Sequence, residues 1–260
     1  MKQAILLVSF GTSNKETREK TFFAIQREVE KQFPKYLVYH AFTGEKIIKK
    51  IKEKEGVQIS NLKETLEQIR EHGIKKLIVQ PTYVICGMEY EKMVQEVSEH
   101  LDKFDSVVFG KPLLSEREDY EKAAEVVKVH VPVKSKEEAV VFMGHGTKKS
   151  GTQCYTIMDE ILKKNGHRNI YMAAMDGDPS IQDVIKKMEE QPYEKVMLIP
   201  FLVASGYHAR KDMIGQQKDS WKNLLLNKGY KVEYLLTGLG EYPQIQKLYC
   251  EHIRKARKKC

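Results

Sequence analysis

Apolar residues fall in short runs at regular intervals along this chain, and polar stretches with helical patterning separate them. The runs Ala4–Val8, Leu37–Tyr39, Lys76–Val79 and Val107–Phe109 are followed by Ala139–Met143, Ile170–Ala173, Val196–Ile199 and Val232–Leu235. Short apolar strands alternating with helices imply parallel sheets. Between the runs, Leu62, Leu66 and Ile69 share one helical face, and Ser13 with Glu16 has the spacing of a capping box. The pattern predicts an α/β fold.

The rhythm also repeats. Phe10-Gly11-Thr12-Ser13 matches His145-Gly146-Thr147-Lys148, Phe42-Thr43-Gly44 matches Met175-Asp176-Gly177, and Pro81 to Gly87 matches Pro200 to Gly206, with Lys92 falling on Lys211. The three matches keep their order and all lie at strand ends, so two similar lobes are expected, each a parallel sheet flanked by helices. The polar segment from Val131 to Glu138, with Pro132 in it, reads as the connector and places the lobes at 1–130 and 138–260. Open α/β sheets bind ligands outside the carboxyl ends of their strands. Two lobes with those edges facing would frame an active-site cleft.

The copies differ in chemistry at three places. His145 stands where the first half has Phe10, Asp176 where it has Thr43, and His208 where it has Glu89. Two neutral imidazoles and a carboxylate form a mixed nitrogen and oxygen donor set for a first-row divalent metal, with room for an exchangeable ligand. His145, Asp176 and His208 are therefore the candidate metal ligands; the plainer alternative is that each histidine serves a loop backbone group. His72, His100, His130, His167 and His252 fall in or beside charged helical stretches, and His40 lies at a strand end without an identifiable partner. Glu89 is a candidate catalytic carboxylate, although an acidic residue also suits a helix N-terminus. The Gly-Thr loops could cradle an anion, which makes Phe10, Thr12 and Ser13 candidate substrate contacts, or they could be ordinary helix caps.

Composition narrows the class. A chain of 260 residues that is 41% apolar and 31% charged is typical of a soluble globular protein, and no apolar run approaches the roughly 18 residues of a membrane span. Ala4–Val8 reads as a strand and not as a signal segment. Cys86, Cys154, Cys250 and Cys260 make no C-x-x-C pair, so reduced thiols in a cytoplasmic protein are expected. The formal charge of +8 favours acidic partners. Part of it is the run Arg254, Lys255, Arg257, Lys258 and Lys259, where cations suit a helix C-terminus. Without zinc-finger spacing or an aromatic RNP-like stretch, neither nucleic acid nor membrane is an expected partner.

With these residues in hand, the chain resembles the class II chelatases, and among them the sirohydrochlorin cobaltochelatases of anaerobic cobalamin biosynthesis. The resemblance rests on Val8-Ser9-Phe10-Gly11-Thr12-Ser13, Gly87-Met88-Glu89-Tyr90, Met143-Gly144-His145-Gly146-Thr147, and Gly206-Tyr207-His208 followed by Lys211-Asp212-Met213, and it extends over essentially the whole chain. It implies insertion of a divalent metal, Co2+ above all, into a tetrapyrrole, with His145 and His208 holding the metal and assisting deprotonation and Glu89 as a cleft carboxylate. The metal would be a substrate, and no organic cofactor is implied. The family usually has glutamate before the glycine of the second-lobe turn, where this chain has the shorter Asp176. Two rival readings stay open from the residues: a non-catalytic tetrapyrrole or metal carrier, and a phosphohistidine enzyme, for which Gly144 stands where an arginine would be needed.

Overall fold

The computed structural model describes residues 3–131, 135, 137–147 and 153–258. Lys148 in the repeat, half of the connector (Pro132, Val133, Lys134 and Lys136) and the terminal Lys259 and Cys260 lie outside the described residues.

The first sheet is built from β1 (Gln3–Ser9), β2 (Leu37–Phe42), β3 (Lys76–Pro81) and β4 (Ser106–Phe109), in the order β2-β1-β3-β4. Its helices are α1 (Lys15–Lys20), α2 (Phe22–Gln32), α3 (Glu45–Glu55), α4 (Leu62–Glu71) and α5 (Met88–Ser98). After α6 (Arg117–His130) comes the second sheet, β5 (Glu138–Gly146), β6 (Ile170–Asp176), β7 (Lys195–Pro200) and β8 (Lys231–Tyr234), in the order β6-β5-β7-β8. It carries α7 (Gln153–Lys164), α8 (Ile181–Glu189) and α9 (Trp221–Asn227), and the chain ends in α10 (Pro243–Arg257). Every pairing is parallel, and the two sheets have the same strand order. Among the described residues no helix is long and apolar enough to cross a membrane.

Each sheet is buried because its strands are nearly all apolar. In the first unit Ala4, Leu6, Val8, Leu77 and Val79 pack against Leu62, Leu66 and Ile69 of α4, the face read from its spacing. In the second, Val141, Met143, Ala173 and Leu198 pack against Ile181, Val184 and Met188 of α8. Local signals start the helices. Asn61 accepts from the Glu64 amide while Glu64 accepts from Asn61, and Ser180 and Asp183 repeat that exchange before α8. The expected Ser13–Glu16 box is not formed. Asn14 is the cap, its side chain accepting from Thr17 N at 2.9 Å, and Glu16 instead pairs with Lys20 one turn on. Asn14 wins because its amide oxygen reaches the third amide of the helix, which leaves Ser13 in the loop.

Two features depart from the sequence reading. The strands run further at their carboxyl ends than the apolar runs do, because polar residues there find partners inside the sheet. Gln80 donates to the carbonyls of Pro81 and Lys111 at 2.7 and 2.9 Å, and His40 meets Ser9 Oγ at 2.7 Å and Gln26 Oε1 at 3.1 Å. The division at 1–130 and 138–260 also differs from the structure, in which one unit comprises Met1–Ser115 with Gly240–Cys260 and the other Glu116–Leu239. The terminal helices account for the change. α10 packs on α2 and β3, burying Ile245, Leu248 and Ile253, while α6 packs on α7. Tyr249 of α10 is fully buried and donates to the carbonyl of Thr82 at 3.1 Å, just past β3.

Candidate metal centre

The second sheet brings His145 and His208 together. His145 is the penultimate residue of β5. His208 immediately precedes a π-helical turn, Ala209–Met213, that follows β7, the neighbour of β5 in the sheet. Their ring centroids are 5.0 Å apart with the planes at 90°. The two sites thus converge from adjacent strand ends, where open parallel sheets bind ligands.

Glycine makes the His145 position possible. Gly146 has φ +79°, and a β-carbon there would lie 1.9 Å from the Asp176 carbonyl oxygen; one on Gly144 would lie 2.3 Å from the Tyr155 ring. The backbone of β5 is therefore pressed between β6 and α7, so the His145 side chain turns outward, where it is exposed. Tyr155, fully buried in α7, accepts from the Gly146 amide at 3.4 Å, and burial raises its phenol pKa above the usual range, keeping it neutral.

Hydrogen bonds define which ring nitrogens are open. His145 Nδ1 lies 3.2 Å from the Gly146 carbonyl oxygen and His208 Nδ1 lies 2.7 Å from Asp212 Oδ2. Both partners only accept, so each neutral ring carries its proton on Nδ1 and its lone pair on Nε2. A pair of Nε2 lone pairs is a nitrogen donor set for a first-row divalent ion. Beside it, the Tyr207 ring is 60% exposed and 5.6 Å from His208, with the Lys211 ammonium 5.3 Å from its centroid. The hydrogen bond from Lys211 to Tyr207 raises the lysine pKa, so Lys211 stays cationic.

Asp176 does not complete a triad. Among the described residues no three His, Cys, Asp or Glu side chains gather closely enough to hold a metal ion. The ladder gives a reason. Val8 pairs with Pro81 and Met143 with Pro200, which makes Gly144 the counterpart of Ser9. Ser9 pairs with Phe42 but Gly144 pairs with Ala174, so the sheet sets Asp176 against Gly44 and Met175 against Thr43. Matching the glycines of the two turns slips this strand by one residue, and neighbouring strand residues face opposite ways.

The candidates of the first unit are placed as follows. Glu89 lies in the first turn of α5, partly exposed, with Lys92 Nζ at 3.2 Å. Phe10 follows β1 with its ring 47% exposed. Thr12 is buried; its hydroxyl accepts from Asn14 N at 3.4 Å and its carbonyl accepts from buried Arg18 at 3.3 Å, so it braces the loop and is no open anion cradle. Ser13 is partly exposed. His40 does have partners: besides Ser9 and Gln26 it meets Phe22, Phe23 and Phe42, and burial pushes its pKa down to about 3. Sequence reasoning missed Asp212, Tyr155 and Tyr207 as parts of the site. The four-residue step from His208 to Asp212 was a usable helical signal for the first, but nothing in the spacing of Tyr155 pointed to Gly146.

Paired imidazoles on a twice-used parallel α/β unit make a candidate site for a divalent metal. The chain belongs to the cobalt chelatase (CbiK) family, which it matches over residues 3–258. It is 31% identical to a sirohydrochlorin cobaltochelatase of Salmonella typhimurium over 98% of this chain and 97% of that protein. It is 29% identical to the sirohydrochlorin cobaltochelatase CbiKC of Nitratidesulfovibrio vulgaris over 98% of this chain and 90% of that one. In fold it is similar to SirB from Bacillus subtilis with Fe3+, at a TM-score of 0.70 and 16% identity, covering 98% of this chain and 96% of SirB.

Proposed function

We infer that the protein is an enzyme that inserts Co2+ into sirohydrochlorin or a closely related tetrapyrrole. The observation that carries this reading is the His145–His208 pair, 5.0 Å apart at adjacent strand ends, on a chain of the cobalt chelatase family. Insertion requires the ion to shed water, the macrocycle to lose two pyrrole protons, and its ring to bend toward the metal. Two imidazole nitrogens hold Co2+ while leaving its other positions to exchangeable water and then to the macrocycle. A neutral imidazole carries a nitrogen lone pair that can serve as such a ligand.

Glu89 is assigned the role of proton acceptor, since a carboxylate with one lysine partner and access to solvent can take up and release a pyrrole proton. The exposed ring of Tyr207, beside His208, offers flat apolar surface to a macrocycle. Lys211 supplies a cation for its carboxylates, in keeping with the net charge of +8. Asp176, at the end of β6, is assigned to the metal through bridging water. The site belongs to the cytoplasm in this reading, and the metal passes through it as substrate, with no organic cofactor.

The test is turnover. Protein at substoichiometric concentration is mixed with Co2+ and sirohydrochlorin, and the visible spectrum is followed. Conversion of many equivalents per protein is expected; a spectral change that stops at one equivalent would identify a carrier instead.

A further inference from the structure

We propose that Asp212 is a positioning residue that locks His208 in the tautomer able to bind metal. The proposal rests on the reading of His208 as a cobalt ligand. Asp212 Oδ2 stands 2.7 Å from His208 Nδ1, the length of a charge-assisted hydrogen bond. An ionised carboxylate only accepts, so the ring proton sits on Nδ1 and the lone pair on Nε2. A free neutral imidazole favours the proton on Nε2, which would leave that nitrogen no lone pair to offer.

The turn holds this geometry rigidly. His208 at the N-cap and Asp212 within the π-helical turn are four residues apart, and Ala209 and Met213 of the turn are fully buried in the core of the second unit. Gly215 N donates to the Lys211 carbonyl at 2.9 Å and closes the turn, and a β-carbon on Gly215 would lie 2.1 Å from that oxygen. π-Helical turns inside helices are rare and recur at functional sites. The His208 and Asp212 side chains are 42% and 35% exposed, so their bond is not demanded by burial. His145 is oriented by a weaker device, the neutral carbonyl of Gly146 at 3.2 Å. A carboxylate behind a ligating imidazole fixes its orientation and raises its donor strength, and removing one costs about 10–100-fold in metal affinity in comparable sites.

The experiment uses the full chain and the variants Asp212→Ala, Asp212→Asn and His208→Ala. Nitrogen-15 NMR of the metal-free protein, with the rings neutral, reads the His208 tautomer, and calorimetry with Co2+ alone reads affinity. The parent is expected to show the proton on Nδ1. Asp212→Ala should shift it toward Nε2 and weaken Co2+ binding by about 10–100-fold. Asp212→Asn, whose amide oxygen still accepts and whose size is unchanged, should keep the tautomer and recover most of the affinity. An unchanged His208 tautomer in Asp212→Ala would overturn the proposal, as would unchanged affinity where His208→Ala is weakened. If His208→Ala itself binds Co2+ like the parent, the ligand reading fails, and the tautomer alone then decides whether Asp212 positions the ring.

Discussion

Gly146 shows how a residue with no side chain can decide the chemistry of its neighbour. Its φ of +79° and the 1.9 Å approach of a β-carbon to the Asp176 carbonyl leave no room for alanine. Gly146→Ala should therefore displace His145 and abolish tight Co2+ binding while every ligand is still present, which calorimetry would show. At Asp176 the one-residue ladder slip argues for a smaller effect: Asp176→Ala should weaken Co2+ binding less than His208→Ala does, and equal losses would make Asp176 a direct ligand. His40 carries the pH dependence. The folded ring takes a proton only near pH 3, whereas the unfolded ring takes one near 6.5, so between these values the unfolded state binds more protons. Its contribution to stability is complete above pH 6.5 and is lost as the pH falls toward 3, at up to about 1.4 kcal/mol per pH unit. The physical loss is plain: a protonated ring cannot accept from the Ser9 hydroxyl 2.7 Å away. Urea unfolding of His40→Gln should show a flatter dependence between pH 6.5 and 4 than the parent.

At the scale of elements, the strands and their duplication were legible because buried parallel strands are written as apolar runs, and the loops at their ends reuse glycine and proline for backbone reasons. His145, Glu89 and His208 were legible as the places where the copies diverge. The owner of a helix was not. An apolar stripe such as Ile245, Leu248 and Ile253 of α10 says that a face is buried, but not against which sheet; chain order assigned it to the second sheet, and contact with α2 and β3 assigns it to the first. The matching of Asp176 with Thr43 was one residue out for a related reason, since matching turn residues counts along the chain while the ladder counts across it. The placement of α10 predicts that Leu248→Ala, which empties a site only 4% exposed, destabilises the protein by about 2–5 kcal/mol. Hydrogen exchange should then rise in β1 to β4, Gln3–Phe109, before it rises in β5 to β8. Faster exchange confined to the second sheet would contradict the assignment.

For the whole molecule, the account is one of a parallel unit used twice and specialised once: the second unit carries the two histidines proposed to hold the metal, and the first carries Glu89, the proposed proton acceptor. Glu89→Gln keeps the size of the side chain but is a poor proton acceptor, so it should slow insertion far more than it weakens Co2+ binding. The most direct test is a paired measurement on His145→Ala and His208→Ala: Co2+ affinity by calorimetry, and single-turnover formation of the cobalt macrocycle by visible absorption. Loss of both in both variants is the predicted result. Insertion at the parental rate in either variant, or Co2+ affinity unchanged in both, would contradict the assignment of these two rings as the metal-holding pair.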